Sequence, residues 1–182
     1  MIKTPMSIDG SFVIDPDVYG DERGFFYESY NREKFIALGI EDVFVQDNHS
    51  TSKKGTLRGL HFQSAPFPMA KLVRCTRGKV FDVAVDMRKD SPTFKKWIGV
   101  ELSADNKKML YIPAGCAHGF YVLEDCEFLY KSSNVFHKEL DAGVAYNDPQ
   151  IGIEWPIEGE LIISERDQHQ PSLVEVLETI NV

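Results

Sequence analysis

The sequence predicts an all-β protein, a sandwich or barrel with a few short peripheral helices. Its apolar segments are short and β-prone, turn signals recur about every ten residues, and no strand–helix–strand alternation is present. The chain has 182 residues, of which 43% are hydrophobic and 26% charged, as in an ordinary protein with one buried core. No repeat or linker-like tract divides it, and we therefore expect a single domain over residues 1–182.

Local signals assign the elements in chain order. A turn at residues 20–24 precedes an aromatic β-prone segment at 25–30. Asn31 is suited to cap a short helix over 32–38, which Gly39 closes. Apolar segments bounded by turn residues predict strands at 43–46, 56–63, 97–102, 110–112, 119–123 and 127–131.

Two further elements complete this assignment. Residues 71–76 and 79–86 are predicted to be the arms of a hairpin that turns at Arg77-Gly78. In the second arm, alternation places Phe81 and Val83 on one face and Asp82 on the other. Residues 147–149 form a turn, and Ser172 is suited to cap a terminal helix that runs through Ile180.

Charge and composition exclude several classes of partner. The net charge of −8 disfavours nucleic acid and anionic membranes as partners, and no apolar segment reaches the ~20 residues of a membrane span. The N-terminus lacks an apolar signal core, and the three cysteines are odd in number without CxxC spacing. We therefore expect reduced thiols and a cytoplasmic protein.

A basic segment interrupts this acidic sequence. No acidic residue occurs between Asp47 and Asp82, and the segment suits either a small anionic ligand, such as a pyrophosphate, or a solvated strand face. Charge alone does not decide between these interpretations. Its basic residues are Lys53, Lys54, Arg58, Lys71, Arg74, Arg77 and Lys79.

Two histidines stand in settings that favour chemistry. His61 lies in LRGLHFQ (57–63) within the basic segment, and His118 lies in a Gly/Pro-rich turn that enters a strand. Strict alternation would place Arg58 and His61 on opposite faces, whereas a bulge at Gly59 would bring them together. The sequence leaves both arrangements open.

The other common site types lack support. The chain has no G-x-S-x-G elbow, no P-loop and no GxGxxG after a strand. An HxH metal pair is broken by Gln63, and two histidines without a nearby acid form a poor metal shell. What remains is a cofactor-free proton-transfer site with His61 as the base, a carboxylate to orient it, Lys71 beside a developing oxyanion and a tyrosine as the acid.

Several segments form a set that runs in order from about residue 20 to 170, nearly the whole chain. The segments are DERGFFYE (21–28), VQDNHS (45–50), LRGLHFQ (57–63) and residues 71–74, 80–86, 91–94, 113–120, 128–131, 147–149 and 153–156. Together they resemble the dTDP-4-dehydrorhamnose 3,5-epimerase family. The resemblance implies a cupin-type jelly roll, usually a homodimer, that epimerises a dTDP-linked 4-keto-6-deoxyhexose without a metal or nicotinamide cofactor.

Carried over by position, the resemblance implies a role for each site residue. His61 would be the base, Asp167 the carboxylate that orients it, Tyr130 the acid on the opposite face of the sugar, and Lys71 the cation beside the C4 oxygen. Arg58 and His118 would line the sugar and diphosphate site. The implied nucleotide-binding positions, some of them reaching across a dimer, are Arg23, Phe26, Glu28, Gln46 and Asn48.

Three positions depart from the family pattern. Val135-Phe136 replaces a common Tyr-Tyr pair, so that Phe136 keeps a ring for stacking without the hydroxyl, and Met69 and Cys116 replace a usual glutamine and aromatic. The departures leave open a single-site epimerase, acting at C3 or C5 alone, or a 3,4-ketoisomerase. A metal-dependent cupin oxygenase and a non-catalytic sugar-nucleotide-binding module are the alternatives from other classes.

Overall fold

Two long antiparallel strands, β7 (Lys71–Asp86) and β10 (Cys116–Ser132), pair along most of their lengths and organise the fold. The computed structural model describes residues 1–179. The other strands are β1 (Ile2–Pro5), β2 (Phe12–Asp15), β3 (Tyr19–Asp21), β4 (Gly24–Phe26), β5 (Gln46–Ser52), β6 (Thr56–Gln63), β8 (Trp97–Ser103), β9 (Met109–Ile112), β11 (Asp141–Gly143) and β12 (Ile162–Ile163). The α-helices are α1 (Arg32–Ala37), α2 (Glu165–Gln168) and α3 (Leu173–Thr179), and a 3₁₀ turn covers Lys138–Leu140.

The long strands divide the molecule into two halves. In one half, β8 pairs with the second part of β7, and β6 pairs with the first part of β10 and with β11. In the other half, β9 joins the first part of β7 to β2 and β1, while β5 pairs with the second part of β10. Buried residues of both halves, among them Val73, Leu110, Phe120 and Phe128, pack in one cluster. The all-β prediction is therefore confirmed, and the architecture is a jelly roll.

The predicted hairpin at Arg77-Gly78 is wrong, because the chain bends there without reversing. Gly78 has φ +70°, and a Cβ on it would lie 2.2 Å from the Asp125 carbonyl oxygen of the neighbouring strand. The partner strand β10 shows register shifts opposite this bend, between Val122 and Phe128. Strand β10 nevertheless continues through 119–123 and 127–131, which the sequence predicted as separate strands. A glycine at positive φ serves a bend as well as a turn, and the local sequence does not distinguish them.

Other elements follow the expectation closely. Strand β6 has the predicted bounds, and α1 is capped by Asn31, whose Oδ1 accepts a hydrogen bond of 3.2 Å from the Lys34 N–H. Strand β5 begins only at residue 46, so residues 43–45 are not in a strand, and the aromatic segment at 25–30 forms only the end of the short strand β4. Ser172 caps α3 reciprocally with Glu175, and the predicted end at Ile180 lies outside the described residues.

Faces of the central strand also agree with the predicted alternation. Val83 and Val85 of β7 pack in a cluster with Leu60 and Phe62, whereas Val80 and Ala84 face the core between the two halves. Within residues 1–179, the structure contains no helix with the length and apolar character required to cross a membrane.

Candidate active site

A cavity of about 620 Å³ opens within the jelly roll and collects the predicted catalytic residues. His61 of β6, Lys71 of β7, Tyr130 of β10 and Asp167 of α2 all line it. Arg58, His118 and Phe136 of the predicted binding set line it as well. Residues distant in sequence thus face one volume large enough for a small ligand.

A bulge in β6 places Arg58 and His61 together on this cavity. His61 pairs with His118 and Arg58 pairs with Phe120, so that two residues of β6 oppose Gly119 alone. Gly59 has φ +123°, and a Cβ on it would lie 2.6 Å from the Gly119 Cα, closer than a side chain permits. Of the two arrangements that the sequence left open, the structure therefore has the bulge.

His61 forms a charge-assisted pair with Asp167. Its Nε2 lies 2.7 Å from Asp167 Oδ1, and the Gly59 N–H donates to Asp167 Oδ2 at 3.1 Å. Burial opposes ionisation of this carboxyl, but the hydrogen bonds from His61 and Gly59 outweigh it and hold the pKa of Asp167 below its usual range. With Nε2 engaged as a donor to Asp167, Nδ1 of His61 is left to accept a proton.

Asp167 owes its position to the start of α2. Ser164 caps this helix and accepts a hydrogen bond of 3.1 Å from the Asp167 N–H. Asp167 is only 4% exposed, although it belongs to a four-residue helix. The cap turns the side chain inward, toward β6.

Lys71 brings a positive charge to the cavity wall. Its side chain is buried, and Nζ donates to the His61 carbonyl oxygen at 3.3 Å and lies 5.9 Å from the centre of the Tyr130 ring. Burial lowers the pKa of Lys71 to about 8, against the opposing influence of the Asp82 and Asp141 carboxylates. The ammonium is therefore still mainly protonated near neutral pH.

A second histidine–carboxylate pair includes His118 of the cavity lining. His118 Nε2 is 2.9 Å from Asp82 Oδ2, and Asp82 is completely buried. Burial lowers the pKa of His118 and raises the pKa of Asp82, because each charged form loses its hydration. Asp82 Oδ1 has no hydrogen-bond partner within residues 1–179.

Tyr130 approaches from the other half of the jelly roll. It lies in the part of β10 that pairs with β5, whereas His61 lies on β6, which pairs with the first part of β10. Burial raises the pKa of the Tyr130 phenol, so that its hydroxyl keeps its proton. The cavity therefore has a proton acceptor and a proton donor on different strands, β6 and β10.

The structure does not bring the remaining predicted binding residues to the cavity lining. Arg23 and Phe26 lie on the exposed β3–β4 hairpin, where Arg23 pairs with Asp21 at 2.5 Å, and Glu28 pairs with Lys34. Gln46 and Asn48 bond to each other at 2.9 Å on β5. Asn48 lines a smaller adjoining pocket of about 170 Å³ that also touches Tyr130.

Sequence reasoning missed two charged residues of the cavity. Arg166 Nη1 lies 2.7 Å from Asp141 Oδ2, and both side chains line the cavity. Asp141 reaches it because β11 pairs with the end of β6, with Asp141 opposite Gln63. The pairing of β11 with β6 leaves no signal in the local sequence. Arg166 could have been found, because it lies next to Asp167 in the same short helix.

The basic segment divides between two roles. Lys53 pairs with Asp125 at 3.0 Å, Arg77 with Glu127 at 3.1 Å, and Lys79 with Glu124 at 3.5 Å. The charges of these residues are matched by acidic residues of β10, which favours the alternative interpretation of a solvated face for them. Arg58 and Lys71 are the members that line the cavity.

Potential metal ligands are not clustered in this part of the molecule. Among residues 1–179, no group of three or more His, Cys, Asp and Glu side chains is arranged to hold a metal ion. His61 and His118 are each engaged with one carboxylate, Asp167 and Asp82 respectively.

Known proteins that are similar to this chain in sequence and fold are named as sugar-nucleotide epimerases. A family profile described as dTDP-4-dehydrorhamnose 3,5-epimerase matches residues 5–175. The sequence is 53% identical to the dTDP-4-dehydrorhamnose 3,5-epimerase of Escherichia coli (strain K12) over 172 residues, 93% of each chain.

Solved structures give the same result. The dTDP-6-deoxy-D-glucose-3,5-epimerase of Legionella pneumophila Philadelphia 1, in complex with dTDP-4-keto-L-rhamnose, matches with a TM-score of 0.94 and 46% identity over 99% of this chain and 97% of that one. A 3'-monoepimerase of Streptomyces bikiniensis, in complex with dTDP-quinovose, matches with a TM-score of 0.90 and 34% identity over 98% of this chain and 92% of that one.

Proposed function

This chain belongs to the dTDP-4-dehydrorhamnose 3,5-epimerase family, and on that premise we propose which of its residues carry out the reaction. Like its relatives, it is an isomerase acting on carbohydrates, and its fold is the cupin-type jelly roll. It inverts C3 and C5 of dTDP-4-keto-6-deoxy-D-glucose to give dTDP-4-keto-L-rhamnose. The observation that carries the mechanism is that the His61–Asp167 pair, Lys71 and Tyr130 share one cavity.

The first step removes a proton next to the C4 ketone. Such a proton is acidic only because the resulting anion is delocalised onto oxygen, and this requires positive charge where the oxygen will lie. The Lys71 ammonium supplies that charge. His61 takes the proton on Nδ1, the electrons of the C–H bond move into the enolate, and Asp167 stabilises the imidazolium that forms.

The second step returns a proton to the opposite face of the same carbon. Tyr130 donates it from its phenol, and the enolate electrons form the new C–H bond, with inversion of the stereocentre. His61 and Tyr130 line the same cavity from different strands, β6 and β10, and this supports the assignment. Exchange with solvent then restores both side chains before the other carbon reacts.

Binding of the nucleotide uses the charged and aromatic groups at the cavity. Arg58 and Arg166 suit the diphosphate, because guanidinium groups pair with phosphate oxygens, and His118 suits a sugar hydroxyl. Phe136 is half-exposed at the cavity and suits stacking against the thymine base. Gln46 and Asn48 lie beside Phe136 and the adjoining pocket and suit the edge of the base.

A homodimer would complete this site. Arg23, Phe26 and Glu28 lie outside the cavity lining, and the β3–β4 hairpin exposes Tyr19, Phe25 and Phe26. Apolar surface of this kind is typical of a protein–protein contact. The hairpin of one copy therefore delivers Arg23 and Phe26 to the nucleotide bound by the other.

Two properties of the whole chain belong to the same proposal. Residues 1–182 form a single catalytic domain, which the family match over residues 5–175 supports. The protein works in the cytoplasm, a location that its free cysteines Cys75, Cys116 and Cys126 support. The net charge of −8 supports the further proposal that neither nucleic acid nor a membrane is a partner.

Hydrogen exchange at carbon tests the proposal directly. Incubation with dTDP-4-keto-6-deoxy-D-glucose in deuterated water is expected to place deuterium at C3 and C5. His61→Asn is expected to slow this exchange by about 10²–10⁴-fold, the usual contribution of a general base. The matched control is His169→Asn, since His169 is exposed and bonds to the backbone of its own helix.

The pattern of exchange separates the candidate reactions. Deuterium at one carbon only, with inversion there, would indicate a single-site epimerase, the alternative favoured by the likeness to the 3'-monoepimerase. No deuterium at either carbon with the wild-type protein would overturn the mechanism. Full exchange in His61→Asn would overturn the role of His61 alone.

A further inference from the structure

The buried amide of Gln63 joins two loops beside the cavity. Its Nε2 donates to the carbonyl oxygens of Phe67 at 2.5 Å and Val135 at 3.2 Å, and its Oε1 accepts from the His137 N–H at 2.8 Å. The residue is only 4% exposed. Both amide hydrogens are thus used within the protein, and none is left to donate to a substrate.

The two main-chain bonds at Val135 and His137 flank Phe136. The Phe136 N–H itself donates to Gln46 Oε1 at 2.9 Å. Residues 135–137 follow the end of β10 and belong to no strand, so these groups have no partners in the sheet. The side chains of Gln46 and Gln63 supply the hydrogen bonds that a neighbouring strand would otherwise make to these main-chain groups.

These hydrogen bonds hold the Phe136 ring where it is partly exposed to water, which is unfavourable for an aromatic side chain in the protein without ligand. Phe136 lines the cavity, yet its residue is 53% exposed. Burial of the ring therefore does not explain why its backbone is fixed on both sides. A ring held half in solvent is preorganised for a flat partner that arrives from outside.

We propose that Gln63 is a positioning residue for nucleotide binding, because it fixes the backbone on both sides of Phe136 and so aims the ring at the thymine base of dTDP. The inference rests on the proposed function, in which Phe136 stacks on that base. Gln63 itself does not touch the nucleotide. Its contribution depends on the presence of the Phe136 ring.

This role has a kinetic signature. The base is remote from C3 and C5, so its stacking contributes equally to the bound substrate and the transition state. Loss of Gln63 is therefore expected to raise KM and leave kcat nearly unchanged. A general disturbance of the cavity would instead lower kcat, because His61 lies two residues away on the same strand.

The test is a double-mutant cycle with dTDP as the probe. Gln63→Met keeps the length of the side chain and removes its three hydrogen bonds, and we expect the Kd for dTDP to rise by about tenfold. In the Phe136→Ala background the same change is expected to alter Kd by less than about twofold, because the ring it positions is gone. Gln150→Met, on an exposed turn, is the matched control and should leave Kd unchanged.

Each outcome has a distinct meaning. An unchanged Kd in Gln63→Met, or an equal loss with and without the Phe136 ring, overturns the positioning role. If Gln63→Met does not fold, Gln63→Asn retracts the same amide by one methylene and enters the same cycle. Wild-type protein that binds dTDP but fails to exchange C3 and C5 overturns the proposed reaction and leaves this inference standing, whereas failure of the wild type to bind dTDP overturns both.

Discussion

Lys71 makes catalysis sensitive to alkaline pH. Its ammonium must be charged to stabilise the enolate oxygen, and burial lowers its pKa to about 8. Since a lysine loses its charge as the pH rises through its pKa, we expect kcat to fall on the alkaline side of about pH 8. A pH profile of kcat checks this, and a rate that stays level to pH 10 would contradict it.

Asp82 influences the pH at which kcat falls on the alkaline side of the profile, here called the alkaline limb. Its carboxylate raises the pKa of Lys71, although burial has the larger and opposite effect. Asp82→Asn removes the negative charge, so the alkaline limb is expected to shift to lower pH. The quantity compared between wild type and variant is the pH at which kcat falls to half of its maximum. If this pH does not change, Asp82 does not support the charge on Lys71.

Asp167 is expected to matter through the orientation of His61. Asp167→Asn keeps the size of the side chain but removes the charge that holds the imidazole through Nε2. We expect kcat to fall by about 100-fold or more, with a small change in KM, because the loss affects the base and not the binding of the nucleotide. Steady-state kinetics measure this, and a loss of less than about threefold would contradict the role.

Site residues were predictable from the sequence where the chemistry of the side chain itself indicates a role. They were not predictable where the pairing of distant strands brings a residue to the cavity. A proton-transfer site with His61 as the base and Lys71 beside the oxyanion was the interpretation that remained after other site types lacked support, and these two residues do share a cavity. Asp141 could not be found, because only the register of β11 on β6 brings it there. The burial of Asp167 likewise depends on a helix cap and on packing against a strand far away in sequence.

At the scale of elements, the bulge in β6 is the feature on which the site depends. Gly59→Ala would place a methyl group 2.6 Å from the Gly119 Cα and require a side chain at φ +123°. We expect the free energy of unfolding to fall by at least about 2 kcal/mol, from strain and backbone displacement. We also expect the exchange of substrate hydrogen to slow, because the bulge places His61 on the cavity. Urea unfolding measures the change in stability, and deuterium incorporation measures the change in exchange.

The matched control for this change is Gly159→Ala. Gly159 also has a positive φ, +73°, but a Cβ there meets no atom within 4 Å. It should cost about 1 kcal/mol from conformation alone and leave exchange intact. Equal losses of stability and exchange in the two variants would contradict the importance of the bulge.

Strands were predictable from local patterns, but their ends were not always so. Thr56–Gln63 has apolar residues and turn residues at both ends, and its bounds were correct. The bend at Gly78 looked like a turn because both use the same residue and the same backbone conformation. Only the partner strand shows that the chain continues, and that information is not local.

At the scale of the molecule, the proposed dimer predicts complementation between two inactive variants. Arg23→Ala leaves His61 intact, and His61→Asn leaves Arg23 intact. If Arg23 acts in the partner's site, a co-expressed heterodimer contains one complete site. Random pairing would then restore about a quarter of the wild-type activity, whereas no recovery would show that Arg23 acts within its own chain.

The contact between Asp167 and His61 joins residues 106 positions apart. The strands β1 to β12 all precede Asp167 in the sequence, so each of them is synthesised before this carboxylate. A chain whose strands have paired but whose helix α2 has not yet docked would hold His61 without its orienting partner. Docking of α2 would then be the folding event that completes the catalytic base.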